Sequence, residues 1–183
     1  MTTLARCLLL YVKCSQGKRA AVSEIDYARV TAQKWYASRS RSTGVWYAHN
    51  RDGVGMHRYV MRAKKGQVVD HIDGQGLNNV RENLRICTTE ENNANWRVRQ
   101  PRRGGGAPLI GVRPCKGGFQ ATVSYRGQKI KGGIFSTPEE AARDYDRIKV
   151  MLYGEFACTH EMQGLIEPEG DFAQKLIRQN NNA

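Results

Sequence analysis

The chain has 183 residues, 40% of them hydrophobic and 25% charged, a composition typical of a globular protein with one ordinary domain or two small ones. Its formal net charge of +12 indicates a polyanion or an acidic membrane surface as partner, and nucleic acid is favoured over the alternative of a merely basic protein. The five cysteines form no Cys-x-x-Cys pair, so the sequence supports neither a zinc ribbon nor a disulfide framework.

The cysteines and the apolar runs favour a cytoplasmic protein. The run Leu8–Val12 is too short to cross a bilayer or to act as a signal segment after the single Arg6. We therefore expect no membrane partner, and we expect reduced thiols at Cys7, Cys14, Cys87, Cys115 and Cys158.

Residues 1–60 are rich in β-forming and aromatic residues, which predicts a small antiparallel sheet. The strand-like runs are Leu8–Val12, Lys34–Ala37 and Val45–Ala48. The tryptophan–tyrosine pairs within them can either stack on nucleic-acid bases or pack the sheet, and packing is the favoured interpretation.

Residues 56–97 carry the candidate chemistry in the order strand, loop, strand, helix. A strand at 67–69 leads into Asp-His-Ile-Asp-Gly at 70–74, and Leu84–Cys87 alternates like a second strand. Thr88 with Glu91 three residues later is typical of a capping box, so we predict a helix that extends to Arg99.

Residues 98–107 combine proline, glycine and arginine without apolar periodicity, which predicts a flexible basic linker. A second module follows, with strands predicted at 109–113, 119–126 and 129–135. Thr137 and Glu140 predict a capped helix that ends at Gly154, and its apolar stripe is Ala141, Tyr145, Ile148 and Leu152. The acidic tail 161–183 is expected to be partly disordered.

Hydrolysis of a phosphodiester needs a base for water, a cation near the leaving oxygen and a group that orients the base. Asp70 and His71 offer a carboxylate ligand and a base, but neighbouring strand residues point to opposite faces, so both can serve one site only where the strand twists or ends. The amide oxygen of Asn92 could complete a Mg²⁺ site with Asp70. Asn83 is placed to hold either the loop or the His71 ring. From the residues alone, a plain strand-to-turn junction remains the alternative.

Four segments resemble the HNH endonucleases, the ββα-metal nucleases of phages and mobile elements. They are Val-Asp-His-Ile-Asp-Gly at 69–74, Leu-Asn-Asn at 77–79, Glu-Asn-Leu-Arg at 82–85 and Thr-Glu-Glu-Asn-Asn-Ala-Asn at 89–95. The resemblance implies that His71 is the general base, that Asp70 and Asn92 bind one divalent metal ion, Mg²⁺ or Mn²⁺, and that Asn83 supports the active loop. The third HNH letter is asparagine here, at Asn92. His57 and Arg58 resemble an upstream pair of the family, which implies a phosphate contact for Arg58; for His57 a packed ring is the favoured interpretation.

Residues 109–157 resemble the AP2 DNA-binding domain, in Ile-Gly-Val-Arg at 110–113, Phe-Gln-Ala-Thr-Val at 119–123 and Tyr-Gly-Glu-Phe-Ala at 153–157. The resemblance implies that a three-stranded sheet lies in the major groove of double-stranded DNA. Strand alternation sends Phe119, Ala121 and Val123 towards the helix. The side chains expected on DNA are Arg113, Gln120, Thr122, Ser124, Arg126, Lys129 and Lys131.

We therefore expect an α+β protein: a small antiparallel sheet leading into a ββα-metal module (1–97, core 56–97), a linker (98–107), an AP2-like sheet packed on one helix (108–160) and a tail (161–183). The expected function is a DNA endonuclease with one divalent metal ion and no organic cofactor, and the resemblance implies a homing endonuclease of a phage or bacterial host; a monomer is compatible with it. The alternatives are a non-catalytic DNA-binding regulator that uses the HNH module as a scaffold and, less favoured, an RNA-cleaving enzyme.

Overall fold

The computed structural model describes residues 9–95 and 109–167, and the chain divides into two units, Met1–Asn92 and Asn93–Ala183. The predicted linker at 98–107, Cys7, most of the predicted tail and the end of the helix predicted to reach Arg99 lie outside the described residues. No helix within the described ranges has the length and apolar character that a membrane crossing requires.

The first part of the chain contains short strands interrupted by helices. In order, the elements are β1 (Leu9–Lys13), β2 (Arg19–Ser23), α1 (Glu24–Thr31), β3 (Tyr36–Arg39), β4 (Trp46–His49), α2 (Met56–Met61), β5 (Val68–His71), β6 (Asn78–Asn79), β7 (Leu84–Cys87) and α3 (Thr89–Ala94). Three antiparallel pairs form, β1 with β2, β3 with β4 and β5 with β7, and β6 lies parallel to β2. The mixed α+β class agrees with the prediction.

The N-terminal region differs from the predicted antiparallel sheet because it contains α1, α2 and one parallel pairing. The buried face of α1 carries Asp26, whose carboxylate accepts hydrogen bonds from Arg29 and Arg81. A helix that buries an ion-paired carboxylate lacks the continuous apolar stripe that identifies helices in a sequence.

One apolar core fills this unit, and Trp35 is its largest side chain. The Trp35 ring is 3% exposed, and its indole N–H donates to the Val30 carbonyl over 2.7 Å, so the buried ring has no unsatisfied donor. The other buried members are Val12, Ala20, Val22, Val30, Ala48, Met56, Val60, Val69 and Leu84. Since Val69 and Leu84 come from β5 and β7, the core holds the hairpin that carries the candidate site.

The second unit is a three-stranded antiparallel sheet with one packing helix. Its elements are β8 (Val112–Cys115), β9 (Gly118–Tyr125), β10 (Gln128–Phe135) and α4 (Pro138–Tyr153), and the strand order is β10-β9-β8. Thr137 and Glu140 form the predicted capping box with Pro138 in the first turn. The predicted stripe of α4 packs on Ala121 and Val123 of β9, with Ala141 and Tyr145 buried and Ile148 and Leu152 partly buried.

Two glycines explain details of this sheet that alternation does not predict. The strand predicted at 109–113 begins at Val112, since Gly111 has φ +73° and a Cβ there would collide with the Tyr145 ring. A bulge interrupts β10 between Lys131 and Ile134. A Cβ at Gly132 would collide with the carboxylate of Asp144, which accepts a hydrogen bond from Gly133 N over 2.9 Å.

Candidate active site

The candidate site lies where β5 ends. His71 is the last residue of β5 and pairs with Leu84, while Asp70 pairs with Arg85 of β7. A turn follows His71, in which Gly74 N donates to the His71 carbonyl over 2.8 Å. Thr88 and Glu91 then form the predicted capping box at the start of α3. The strand, loop, strand, helix order is therefore present, and the strand end that was needed at His71 is observed.

Asn83 holds the loop between β5 and β7. Its Nδ2 donates to Asp73 Oδ1 (2.9 Å) and to the Asn78 carbonyl (2.8 Å), and its Oδ1 accepts from Asp73 N (3.0 Å). Its backbone carbonyl accepts from Ile72 N over 2.9 Å. Of the two placements that the sequence left open, loop or imidazole ring, these bonds select the loop.

Asn79 is the hydrogen-bond partner of the His71 ring. His71 Nε2 lies 3.3 Å from Asn79 Oδ1, and because a carbonyl oxygen only accepts, the ring donates its Nε2–H in this hydrogen bond. His71 is 5% exposed. Burial lowers the pKa of His71 below its usual 6.5, opposed by the Asn79 bond and by the charges of Asp73 and Asp70. A neutral imidazole at neutral pH is the form that a general base needs.

Two aromatic side chains form walls beside the His71 ring. The His57 ring centre is 5.1 Å from that of His71, and the Tyr47 ring centre is 5.8 Å from it, both edge-on. Burial and the charges of His71 and Arg58 lower the pKa of His57 to about 4. The ring of His57 is packed, in agreement with the favoured interpretation of the sequence.

Glycines make room for both walls. A Cβ at Gly55 would lie 2.6 Å from His57 Cε1, and a Cβ at Gly76 would collide with the Tyr47 ring. Gly55 also forms a bridge with His49 at the end of β4, which places the start of α2 beside this strand. The backbone therefore approaches the walls so closely that any larger residue at 55 or 76 would displace a ring next to His71.

Asp70 is a buried carboxylate whose charge is balanced by Arg85. Its Oδ2 accepts from Arg85 Nε (3.0 Å) and Nη2 (2.8 Å), and the Arg85 side chain is only 11% exposed. In the antiparallel register the two residues are direct neighbours. A buried charge needs such a partner or a metal ion, and here Arg85 supplies the partner.

The donor set fits a hard divalent ion. Asp70 offers carboxylate oxygen, and half-buried Asn92 in α3 offers amide oxygen, with its backbone N–H donating to the Thr88 carbonyl over 3.0 Å. Mg²⁺ is commonly held by one or two carboxylates and by substrate phosphate. Within the described part of the chain, no three histidine, cysteine, aspartate or glutamate side chains form a metal-binding group, so any ion here depends on this small set.

Arg58 makes local contacts. Its guanidinium donates to the carbonyl of Gln67 and, over 2.9 Å, to that of Lys64, so it holds the turn that leads into β5. A phosphate contact from Arg58 stays a prediction.

The second unit brings the predicted DNA-binding side chains to the sheet face opposite α4. Cross-strand partners share a face, and the pairs there are Arg113 with Gln120, Thr122 with Lys131 and Ser124 with Lys129. Gln120 Nε2 also donates to the Gly132 carbonyl at the bulge, over 3.0 Å. Arg126 lies in the hairpin turn with its guanidinium 5.1 Å from the Tyr125 ring centre.

Three residues of the first site were missed in the sequence: Tyr47, Asn79 and Arg85. Arg85 could have been found from the register of β5 and β7, since it lies opposite Asp70. Asn79 lies in the Leu-Asn-Asn segment at 77–79 that resembles the HNH endonucleases, but no role was predicted for it. No sequence signal indicated Tyr47, because its contact with His71 is made between separate elements.

This chain is similar in sequence to known proteins over the segment that contains the candidate site. A family model described as HNH endonuclease matches residues 54–94, the segment that contains Asp70, His71, Asn83 and Asn92. An uncharacterised HNH endonuclease of Acanthamoeba polyphaga mimivirus is 28% identical over 159 residues, which cover 80% of this chain and 77% of the viral protein. No solved structure gave a significant match. The two similarities support a nuclease-type function with nucleic acid as substrate.

Proposed function

We propose that the protein is a DNA endonuclease in which His71 is the general base. The observation that carries the proposal is a buried imidazole with a lowered pKa at the end of β5, held by Asn79 and directly following Asp70 in the strand. It lies inside the segment that matches HNH endonucleases.

Each residue of the candidate site is proposed to have its own role in hydrolysis. His71 accepts the proton of the attacking water, and Asn79 keeps the ring oriented while the imidazolium forms. Asn83 holds the loop that fixes this geometry. A divalent ion, Mg²⁺ or Mn²⁺, would be held by Asp70 and Asn92, and it would supply positive charge for the phosphoryl and leaving oxygens. The walls of His57 and Tyr47 exclude water from the other sides of the base.

The second unit is proposed to position the enzyme on double-stranded DNA. Three cations, Arg113, Lys129 and Lys131, lie exposed on the open sheet face together with neutral hydrogen-bonding groups. This combination suits a duplex, because cations contact phosphates and neutral polar groups contact base edges. An AP2-like mode of docking, the domain boundaries given above and a homing role in the cytoplasm of a phage host belong to the same proposal.

The test is the cleavage of plasmid DNA with Mg²⁺ by the full chain and by His71→Ala. We expect the variant to cut roughly 10²–10⁴-fold more slowly, the range for loss of a general base, with an unchanged circular dichroism spectrum. Cleavage by the intact protein in EDTA should be absent. Equal nicking by the two proteins would refute the assignment of His71.

One observation favours a second candidate, a DNA-binding regulator without catalysis. Arg85 already balances the Asp70 charge, as expected of a scaffold that needs no metal. Under this candidate the chain binds DNA but cuts none with Mg²⁺ or Mn²⁺, and His71→Ala binds like the intact protein.

A further inference from the structure

The outer face of the β3–β4 hairpin carries four polar or aromatic side chains in two cross-strand pairs. Tyr36 pairs with His49, and Ser38 pairs with Tyr47. Directly paired residues project to the same side of a sheet, and so do residues two apart along a strand. All four therefore share one face.

One end of this face belongs to the candidate active site and the other end is open to solvent. Tyr47 contacts the rings of His57 and His71. At the open end the Tyr36 and His49 rings lie 6.1 Å apart with an interplanar angle of 34°, and Ser38 Oγ lies 3.4 Å from His49 Nδ1. The contact with Ser38 restrains the rotation of the His49 ring.

The exposed ring of Tyr36 has no role in the core. Its side chain is 41% exposed, whereas the preceding Trp35 is 3% exposed, and Ala37 and Ala48 on the opposite face are buried. The packing interpretation of the tryptophan–tyrosine pairs therefore holds for Trp35 but leaves Tyr36 unexplained. An exposed tyrosine beside a half-buried histidine, continuous with a site for nucleic acid, suits base stacking, which every base can make.

We propose that Tyr36 and His49 form a stacking platform for an unstacked DNA base next to the cleaved nucleotide. This rests on the proposed function, because it takes the strand at His71 as DNA. Tyr47 and His49 are two residues apart, about 7 Å along β4, so a strand with its scissile phosphate at His71 reaches the platform with an adjacent nucleotide. A base can occupy the platform only after it leaves the duplex stack, so the site favours single-stranded or locally opened DNA.

The experiment compares two labelled probes, an oligothymidylate and an abasic oligomer of the same length, by fluorescence anisotropy with the full chain in EDTA. We expect Tyr36→Ala to bind the oligothymidylate about tenfold more weakly, which corresponds to ~1.4 kcal/mol and falls within the range for one stacked base. Binding of the abasic oligomer should not change, since it offers the same phosphates without bases. Tyr36→Phe should bind both probes like the intact protein because it keeps the ring.

Tyr27→Ala is the matched control, since Tyr27 is also exposed but lies in α1. An equal loss in Tyr27→Ala, an equal loss for both probes or no loss for the oligothymidylate would overturn the platform. Binding is measured without metal and cleavage with Mg²⁺, so the two failures are distinguishable. Absence of cleavage by the intact chain would refute the proposed function, whereas normal binding of the oligothymidylate by Tyr36→Ala would refute only the platform.

Discussion

The two units each contain a buried histidine near an aspartate, and they use the pair in opposite ways. In the second unit His160 Nδ1 lies 2.7 Å from Asp146 Oδ1, and His160 N donates to both carboxylate oxygens. In the first unit the Asp70 carboxylate binds Arg85, and the His71 ring binds the neutral amide of Asn79. Proximity of histidine and carboxylate is therefore insufficient to indicate a catalytic base; what matters is which partner each group has.

The pair in the second unit belongs to a structural network. Lys149 is buried near it and its Nζ donates to the Cys158 carbonyl over 2.8 Å. Burial lowers the pKa of Lys149. Because Asp146 and Lys149 lie on α4 while Cys158 and His160 follow it, the network fastens the segment after α4 onto the helix.

The largest expected effect on stability comes from removing the contact between Asp146 and His160. Asp146→Ala leaves His160 buried without its carboxylate and should lower the free energy of unfolding by about 3–5 kcal/mol, as expected when one partner of a buried pair is removed. Amide hydrogen exchange should report the loss in residues 109–167. The control is Glu139→Ala, an exposed acid of the same helix. A decrease in the free energy of unfolding of less than ~1 kcal/mol in Asp146→Ala would contradict the structural role of the Asp146–His160 contact.

The corresponding change in the first unit is Arg85→Met, which removes the guanidinium from Asp70. We expect a destabilisation of about 2–3 kcal/mol in EDTA, since the buried carboxylate loses a charged partner. Mg²⁺ should restore much of this stability because an ion that binds only the folded state shifts unfolding by mass action. Urea unfolding with and without Mg²⁺ measures it. Mg²⁺ should not rescue Asp146→Ala, and equal behaviour of the two variants would contradict a cation site at Asp70.

Lowering the pH should destabilise the first unit through His57. The pKa of His57 is about 4 in the folded protein, against a usual value of 6.5. The unfolded chain binds the proton first as pH falls, so stability contributed by neutral His57 is present above pH 6.5 and is lost between about 6.5 and 4. The expected loss at pH 5 is about 2 kcal/mol, measured by hydrogen exchange in residues 9–95. His57→Phe keeps a ring and should reduce this pH dependence, and the part that remains comes from His71, whose pKa burial also lowers. A pH dependence equal to that of the intact protein would contradict the buried neutral state.

The smallest expected effects concern the two capping boxes. Thr88→Ala and Thr137→Ala should each cost about 1 kcal/mol. The proposed ligand Asn92 lies in the short α3 that Thr88 caps, so only Thr88→Ala should also slow plasmid cleavage. Unfolding and cleavage assays on the same two variants test this. Slower cleavage by Thr137→Ala but not by Thr88→Ala would contradict the placing of a cleavage residue on α3.

Local signals in the sequence predicted what depends on neighbouring residues. The capping boxes and the inward alternation of Ala121 and Val123 were found from spacing. The pairing of β2 with β6 was not, because it joins distant segments, and α1 was hidden because its inward face carries Asp26. The site was predicted in the same uneven way: Asp70 and His71 stand in a recognisable motif, whereas Tyr47 reaches His71 only through the tertiary fold.

The parallel pairing of β6 with β2 also bears on how such a site could be moved between proteins. Ala21 and Val22 of β2 pair with the loop that carries Asn79, and Ala21 N donates to the Leu77 carbonyl over 2.8 Å. The segment that matches the HNH endonucleases begins only at residue 54. A graft of 54–94 into another scaffold would therefore leave this loop without its backbone partner and His71 without the Tyr47 wall. The segment that sequence comparison recognises is therefore shorter than the segment that a working site requires.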